Sequence, residues 1–481
     1  QQRAHLDNFV QLLDGDLIDL AHLDFVRGLE RLAVHADMPA AARRVQRAID
    51  EKEHVAVYGD YDVDGITNAD LIKAMVGREI ADMYPKPEVE PGKEMLRIEN
   101  ASLTGYFKDV NISVRAGEIV GLTGLVGAGF ATNLLRDNPD YTIVSLCRGF
   151  GNKSGLQRAQ EIIKEQCEME NKNDAEALLS RIEIVEGTLE DFPADEMAAK
   201  GPYDTFFHCA ASVNLGKDPD GTTYKTNFGG TQSALALAKR IGVKTFHYVG
   251  TAYVAGKYNG VVMEDTMPAT DWNNSYERSK FDSEKLVRES GFDYTIYRPS
   301  IIVGRLSDGV IRKPLAFYRI LEFLARVKIN GCKKAKLPLN GPFTTSLRLA
   351  AGISDKIYFV PQDYVQETIA KLFVLPVCNK TYHLTGASPV STQMIAIAVC
   401  EALQTTGLEL VDETENPSKE EKLVQRMLDD LLPYFKSNIT FDSTNVINAL
   451  GADVLDWKLD LDFLRKMVHA YYKENNPELL K

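Results

Sequence analysis

Ile119-Val-Gly-Leu-Thr-Gly-Leu-Val-Gly-Ala-Gly-Phe-Ala131 decides how the rest of this chain is read. Ile119-Val-Gly-Leu-Thr123 reads as a short buried strand, and the helical stretch Asn133-Leu-Leu-Arg follows the glycines. Gly124, Gly127 and Gly129 allow a tight turn and let backbone amides approach a pyrophosphate at a helix N-terminus, so all three are candidate cofactor-binding residues. A glycine loop alone is weak evidence. It gains weight because strands and helices then alternate to about residue 304. Tyr141–Leu146, Ile182–Val185, Thr205–His208, Thr245–Val249 and Tyr294–Tyr297 are the strand candidates, with helices such as Thr231–Arg240 between them. That alternation predicts an α/β fold with a doubly wound parallel sheet over 119–304. Residues 305–481 read as a smaller, mixed substrate-binding region with a helical end, Leu461–Lys473.

With 481 residues the chain is long enough for more than one core, and 44% hydrophobic with 26% charged residues is an ordinary globular balance. A net charge of −13 argues against a nucleic-acid partner, and no apolar run reaches the roughly 18 residues of a membrane span. Gln1-Gln-Arg-Ala-His lacks the apolar centre of a secretory signal. The six cysteines are scattered without a Cys-x-x-Cys, which fits free thiols in a reducing cytoplasm, the expected location.

Chemistry is concentrated in Asn274-Ser-Tyr-Glu-Arg-Ser-Lys280. Tyr276 and Lys280, four apart on a helix, project from one face. An ammonium beside a phenol favours the phenolate, so the pair suits proton exchange; an isolated match would be a solvated helix face. Thr251 ends the strand–turn Tyr248-Val-Gly-Thr-Ala252. Small residues including Ala210 follow a strand in Phe207-His-Cys-Ala-Ala-Ser212 and suit a flat cofactor. Arg148, at the end of Ser145-Leu-Cys-Arg148, is either a surface arginine or a clamp for a ribose 2′-phosphate. His208, His247 and His383 lie in strand-like settings and read as core or supporting residues rather than ligands.

Taken in order, the segments His208-Cys-Ala-Ala-Ser-Val213, Asn227-Phe-Gly-Gly-Thr231, Phe246-His-Tyr-Val-Gly-Thr-Ala-Tyr-Val-Ala-Gly256, Tyr276-Glu-Arg-Ser-Lys280 and Tyr297-Arg-Pro-Ser-Ile-Ile-Val-Gly304 resemble the extended short-chain dehydrogenase/reductase superfamily over residues 119–481. Their wording is most similar to the thioester-reductase and fatty-acyl reductase (male-sterility) branch. The resemblance implies Tyr276 as general acid, and Lys280 lowering its pKa while holding the nicotinamide ribose. It also implies Thr251 bonding the substrate carbonyl, Asn227 ordering the proton path, Pro299 beside the cofactor, and Arg148 favouring NADP(H) over NAD(H). The implied substrate is a small molecule, an acyl thioester or aldehyde. Two features depart from the family: the glycine loop between Thr123-Gly124 and Ala131-Thr-Asn-Leu-Leu135 is one residue too long, and Gly187-Thr188 stands where an Asp usually follows the glycine. A nucleotide-sugar epimerase or dehydratase using NAD is the alternative, with Arg305, Arg312 and Lys313 to hold a diphosphate. The runs Leu315–Leu324 and Leu372–Val377 suit either an acyl channel or plain core. An inactive mosaic is a further alternative.

Upstream, Gly59-Asp60-Tyr-Asp62-Val-Asp64-Gly-Ile-Thr67 gathers three carboxylates, weak candidates for a divalent metal. The run resembles the first motif of DHH-family phosphoesterases of the single-strand exonuclease type, over residues 1–74. No Asp-His-His occurs downstream, so metal-dependent phosphoesterase activity is the least favoured function. Residues 75–129 resemble the start of a second nucleotide-binding domain of a sugar-importer ABC ATPase, with residues 75–118 lying ahead of the dehydrogenase-like part. A working phosphate loop ends in Gly-Lys-Ser/Thr, whereas this one runs into Phe130 and Ala131, so ATP hydrolysis is not expected. The chain thus reads as a parallel dinucleotide-binding sheet preceded by two incomplete α/β fragments.

Overall fold

The computed structural model describes residues 94–103, 107–115 and 125–480, apart from 190, 192, 200–202 and 316. The chain divides between Val120 and Gly121 into two units. In the first, Glu94–Leu103 (β1) and Phe107–Arg115 (β2) pair antiparallel with Ile98 opposite Ile112, where the sequence calls for two strands. The helix and strand expected over 41–58, the carboxylates Asp60, Asp62 and Asp64, and the strand Ile119–Thr123 with Gly124 lie outside the described residues.

The second unit opens with helix α1, Leu125–Asp137. Ile143–Cys147 (β3) then pairs in parallel with Ile182–Glu186 (β4), Ser145 opposite Ile184. Between them α2, Gly155–Met169, starts at a capping box in which the Ser154 and Gln157 side chains accept each other's backbone N–H. Four further parallel strands form one sheet: Thr205–His208 (β5), Thr245–Val249 (β6), Asp293–Pro299 (β7) and Lys380–Leu384 (β8), in the order β8-β7-β6-β5. Helix α3, Gly230–Arg240, lies between β5 and β6, and α4, Ser275–Arg288, between β6 and β7.

Both faces tie the β3–β4 pair to the larger sheet. On one, Val144, Leu146 and Val185 pack with Phe206 and Leu237; on the other, Ile143 joins Phe130, Leu134 and Phe207. Helices thus cover parallel strands on both sides, the doubly wound arrangement that the alternating pattern predicts.

Residues beyond 304 return to this layer. β8 is an edge strand of the sheet, Ile301–Val303 pairs with Phe359–Pro361, and Ile439–Phe441 pairs with Gly260–Val262. They also build the largest core, around Phe317, Leu321, Leu324, Phe359, Leu464 and Tyr472. The apolar run at 315–324 enters helix α5, Tyr318–Ala335, and its Tyr318, Leu321 and Phe323 side chains fill that core. Leu372, on helix α6 (Gln362–Phe373), is buried beneath the sheet. The first run is thus largely interior packing, whereas in the second Leu372 is buried and Val374 is exposed.

A buried ion triad fastens α4 to the strands. Glu284 and Arg298 are both 0% exposed, with Arg298 Nε and Nη2 donating to the carboxylate at 2.9 and 2.6 Å. Arg288 Nη2 adds a bond to Glu284 at 2.8 Å and reaches Thr381 of β8 at 2.6 Å. Burial alone would raise the Glu284 pKa, but the two guanidiniums outweigh it and hold the group below the usual carboxylate range.

Candidate active site

The carboxyl ends of the parallel strands position the candidate residues, the edge at which open α/β sheets bind ligands. β6 ends at Val249, and Thr251 follows in extended conformation (φ −154°, ψ 149°) as N-cap of a short 3₁₀ helix, Ala252–Ala255. Its hydroxyl accepts from Tyr253 N and donates to Pro299 O, both at 3.3 Å, so one small side chain links the ends of β6 and β7. Opposite stands the first turn of α4. Asn274 caps that helix, its Oδ1 accepting Glu277 N–H at 3.0 Å, which fixes Tyr276 in the first turn.

Tyr276 is half-buried, and the Thr251 side chain lies near enough to its phenol to bear on the phenol's pKa. Burial pushes its pKa up to about 12; Thr251 opposes that rise and the Glu277 carboxylate adds to it. This corrects the expectation that Lys280 lowers the phenol. The Lys280 ammonium instead donates to Val249 O at 2.9 Å and sits 4.9 Å from the centre of the Tyr248 ring. Spacing on a helix brings two residues to one face but does not set where a long flexible side chain ends. Lys280 is 3% exposed, and burial lowers its own pKa to about 8 against the opposing pull of Cys209 and Glu284. At neutral pH the site therefore presents a protonated phenol and a mostly charged ammonium.

Asn227 lies in a single π-helical turn, Lys225–Gly229, leading into α3. π-turns of this kind recur at functional sites. Its Oδ1 accepts Ser212 N–H at 2.7 Å, and its Nδ2 donates to Ser212 O at 3.0 Å and to Ser279 Oγ at 2.9 Å. Asn227 thereby clamps the loop after β5 to α4, one residue before Lys280. Asn227→Leu is expected to lose these three bonds, orphan Ser212 N–H, and destabilise the fold by about 2–4 kcal/mol; urea unfolding midpoints check this.

The glycines divide. Gly127 lies in the first turn of α1, where N–H groups have no intrahelical partner, and a Cβ there would come 3.1 Å from Cys209 Sγ just past β5. Gly129 is a full turn in, so its N–H is spent within the helix, and a Cβ would lie 1.9 Å from Gln366 Cδ on α6. It is a packing glycine, which corrects its assignment to the cofactor. Gly124 lies outside the described residues.

Arg148 directly follows β3, and its carbonyl accepts Arg158 Nη1 at 2.6 Å. The 7%-exposed Arg158, on α2, brings a second guanidinium to this strand end; the only sequence signal for it is a position four residues past the Ser154 cap. Ala210 is exposed just beyond β5, and Pro299 is buried at the end of β7.

The three strand histidines serve the interior. His208 Nε2 meets Thr231 Oγ1 at 3.2 Å, His247 Nδ1 meets Tyr297 OH at 2.8 Å, and His383 lies between Arg298 and Asp442 O. Burial drives all three down to about 3, so they are neutral at physiological pH. Arg305 is committed to Asp308 and Arg312 faces Glu165 at 3.9 Å, so two of the three basic residues considered for a diphosphate already have carboxylate partners. The six cysteines are free thiols. Among the described residues, no cluster of His, Cys, Asp or Glu could hold a metal, and no helix is long and apolar enough to cross a membrane.

Comparison with known proteins adds three findings. Residues 119–369, more than half of the chain, match an NAD-binding family model described as male sterility protein. Among solved structures, the terminal R domain of the myxalamid PKS-NRPS biosynthetic pathway is similar at TM-score 0.57 and 21% identity, covering 75% of this chain and 94% of that one. A thiolation-reductase di-domain from an archaeal non-ribosomal peptide synthetase is similar at TM-score 0.58 and 20% identity, covering 75% of each chain. These likenesses show a shared fold. On the N-terminal side the chain is similar to the ribose import ATP-binding protein RbsA of Rhodococcus jostii, 55% identical over 65 residues. That match is 14% of this chain, and the chain spans only 13% of that relative's length.

Proposed function

As the chain belongs to the male sterility protein family of NAD-binding domains, we propose that it is an NADP(H)-preferring oxidoreductase that reduces the carbonyl of an acyl thioester or of the derived aldehyde. The observation that carries this reading is the juxtaposition of Thr251 and Tyr276 at the carboxyl edge of the sheet, with Lys280 buried at the end of β6. The solved relatives named as a terminal R domain and a thiolation-reductase di-domain support the thioester as substrate class.

The residues present fit a dinucleotide. The first turn of α1 with Gly127 offers unpaired N–H groups for a pyrophosphate, and exposed Ala210 leaves room for a flat ring. Lys280 would hold the ribose, Arg148 a 2′-phosphate, and Pro299 would flank the nicotinamide. When bound, the reduced nicotinamide supplies hydride.

The chain's own residues handle the oxygen. As the carbonyl carbon gains hydride, its oxygen becomes negative, and the Tyr276 hydroxyl, with the Thr251 hydroxyl turning from Pro299 O, would donate to it. Tyr276, protonated well past neutrality, gives up its proton, while the Lys280 ammonium, held on Val249 O, would bind the nicotinamide ribose. From a thioester this yields a hemithioacetal, whose C–S bond breaks to release the thiol and an aldehyde; a second hydride and proton give the alcohol. The Arg305–Asp308 and Arg312–Glu165 pairs weigh against a sugar-nucleotide substrate.

Incubating the protein with NADPH and acyl-pantetheine thioesters of graded chain length tests this. NADPH oxidation with one thiol released per aldehyde formed is expected. A protein that binds NADPH yet oxidises it with no thioester or aldehyde refutes the substrate class.

A pH dependence follows from the two shifted groups. Tyr276 keeps its proton to about 12, while Lys280 loses its charge as pH rises through about 8. Reductase kcat/KM and NADPH affinity should therefore both decline above about pH 8, and in Lys280→Met the limb should vanish along with most activity. A pH–rate profile of both proteins checks this; a limb retained in Lys280→Met assigns it elsewhere.

A further inference from the structure

Tyr434 stands out only in the folded chain. It sits on a short helix, Leu432–Phe435, in the C-terminal part of the chain, is 3% exposed, and belongs to the large core around Phe317 and Leu464. Its ring and its hydroxyl reach the two segments that carry the proposed proton donors. The ring packs edge-on against Tyr253 with centroids 4.7 Å apart and planes at 89°, and Tyr253 N–H is the group that Thr251 Oγ1 accepts. The hydroxyl accepts Asn274 Nδ2–H at 2.9 Å, from the residue that caps the Tyr276 helix.

The same hydroxyl lies close enough to Glu277, a carboxylate 0% exposed on the far side of Tyr276 in sequence, for the carboxylate to help raise the phenol's pKa. Glu277 also accepts Asn273 N–H at 2.8 Å and Asn273 Nδ2–H at 3.1 and 3.2 Å. Tyr434, Asn274 and the Glu277 backbone are thus bonded in series, with the Glu277 carboxylate beside the phenol. Tyr276 is flanked by members of that series at 274 and 277. Because Asn274 accepts with Oδ1 and donates with Nδ2, the Tyr434 hydroxyl keeps its own proton for the neighbouring carboxylate.

We propose that Tyr434 is a positioning residue, whose ring and hydroxyl together hold the Thr251 and Tyr276 segments in register and so couple seating of the C-terminal core to proton donation. The inference rests on the roles proposed for Thr251 and Tyr276. Reactions that depend on two donors meeting one oxygen lose rate steeply when either is displaced by a fraction of a bond length. A hydroxyl shared by both sides of the acid is suited to prevent that.

Tyr434→Phe removes one oxygen and keeps the ring in the core. Tyr472→Phe is the matched control: Tyr472 is 0% exposed in the same core, and its hydroxyl donates to Leu321 O at 2.9 Å, away from the site. With wild-type turnover established, Tyr434→Phe should lower kcat by about 10- to 100-fold, leave NADPH affinity unchanged, and raise the isotope effect seen with 4-deuterated NADPH. Tyr472→Phe should lower the melting temperature similarly but leave kcat and the isotope effect at wild-type values. If Tyr434→Phe matches Tyr472→Phe in kcat and isotope effect, its role is purely structural and the proposal falls. Absence of wild-type turnover would instead count against the proposed function, so the two failures are separable.

Discussion

Tyr276→Phe is expected to lower the reductase kcat by about 10²- to 10⁴-fold while leaving NADPH binding within a factor of about two. On the proposed mechanism the substitution removes the proton donor and one of two hydrogen bonds to the developing oxyanion, and both matter chiefly in the transition state. The ring remains, so the first turn of α4 keeps its packing, and the Asn274 cap does not involve the lost oxygen. Thr251 retains its bond to Pro299 O, which preserves the strand-end geometry. The separate signals are kcat from NADPH oxidation and Kd from nicotinamide fluorescence. A variant with unimpaired kcat would remove Tyr276 from the mechanism, and one with unimpaired kcat but weakened binding would move it to the cofactor.

The second large effect concerns the buried ion triad. Glu284→Gln should destabilise the fold by about 3–5 kcal/mol. Arg298 is fully buried and cannot give up its proton, so the neutral amide leaves its charge without a counter-ion. Arg288 loses the same partner, and through it the contact between α4 and Thr381 of β8 loosens. Replacing Glu284 and Arg298 together by apolar residues of similar volume should recover much of the loss, because the desolvation cost disappears with both charges. Urea midpoints of the single and double variants measure this; a single variant within about 1 kcal/mol of wild type would show that water or His383 relieves the charge.

The sheet was legible in the sequence because its strands are short apolar runs with helices between them, and Thr205–His208 and Thr245–Val249 match their observed bounds. The Tyr276–Lys280 pair was legible for a similar reason: four residues on a helix share a face in any context. What that spacing could not show was the carbonyl of Val249 waiting for the ammonium, so Lys280 reads as a partner of Tyr276 until β6 is in place. Gly127 and Gly129 look alike on paper. Only the approach of α6, which brings Gln366 against one of them, separates a glycine facing the sheet end from one needed for helix packing. Tyr434 lies about 160 residues from the turn it supports, and no local pattern marks it. Likewise the apolar run at 315–324 could not be told from a channel lining until α5 turned those side chains into the core.

Titration of the purified chain with NADPH and with NADH, followed by nicotinamide fluorescence, tests the central claim most directly. The account predicts saturable, micromolar binding of NADPH, weaker binding of NADH, and loss of that preference in Arg148→Ala. Failure of both nucleotides to bind would contradict it, because a chain of this fold without a dinucleotide could not carry the hydride chemistry proposed for Thr251, Tyr276 and Lys280.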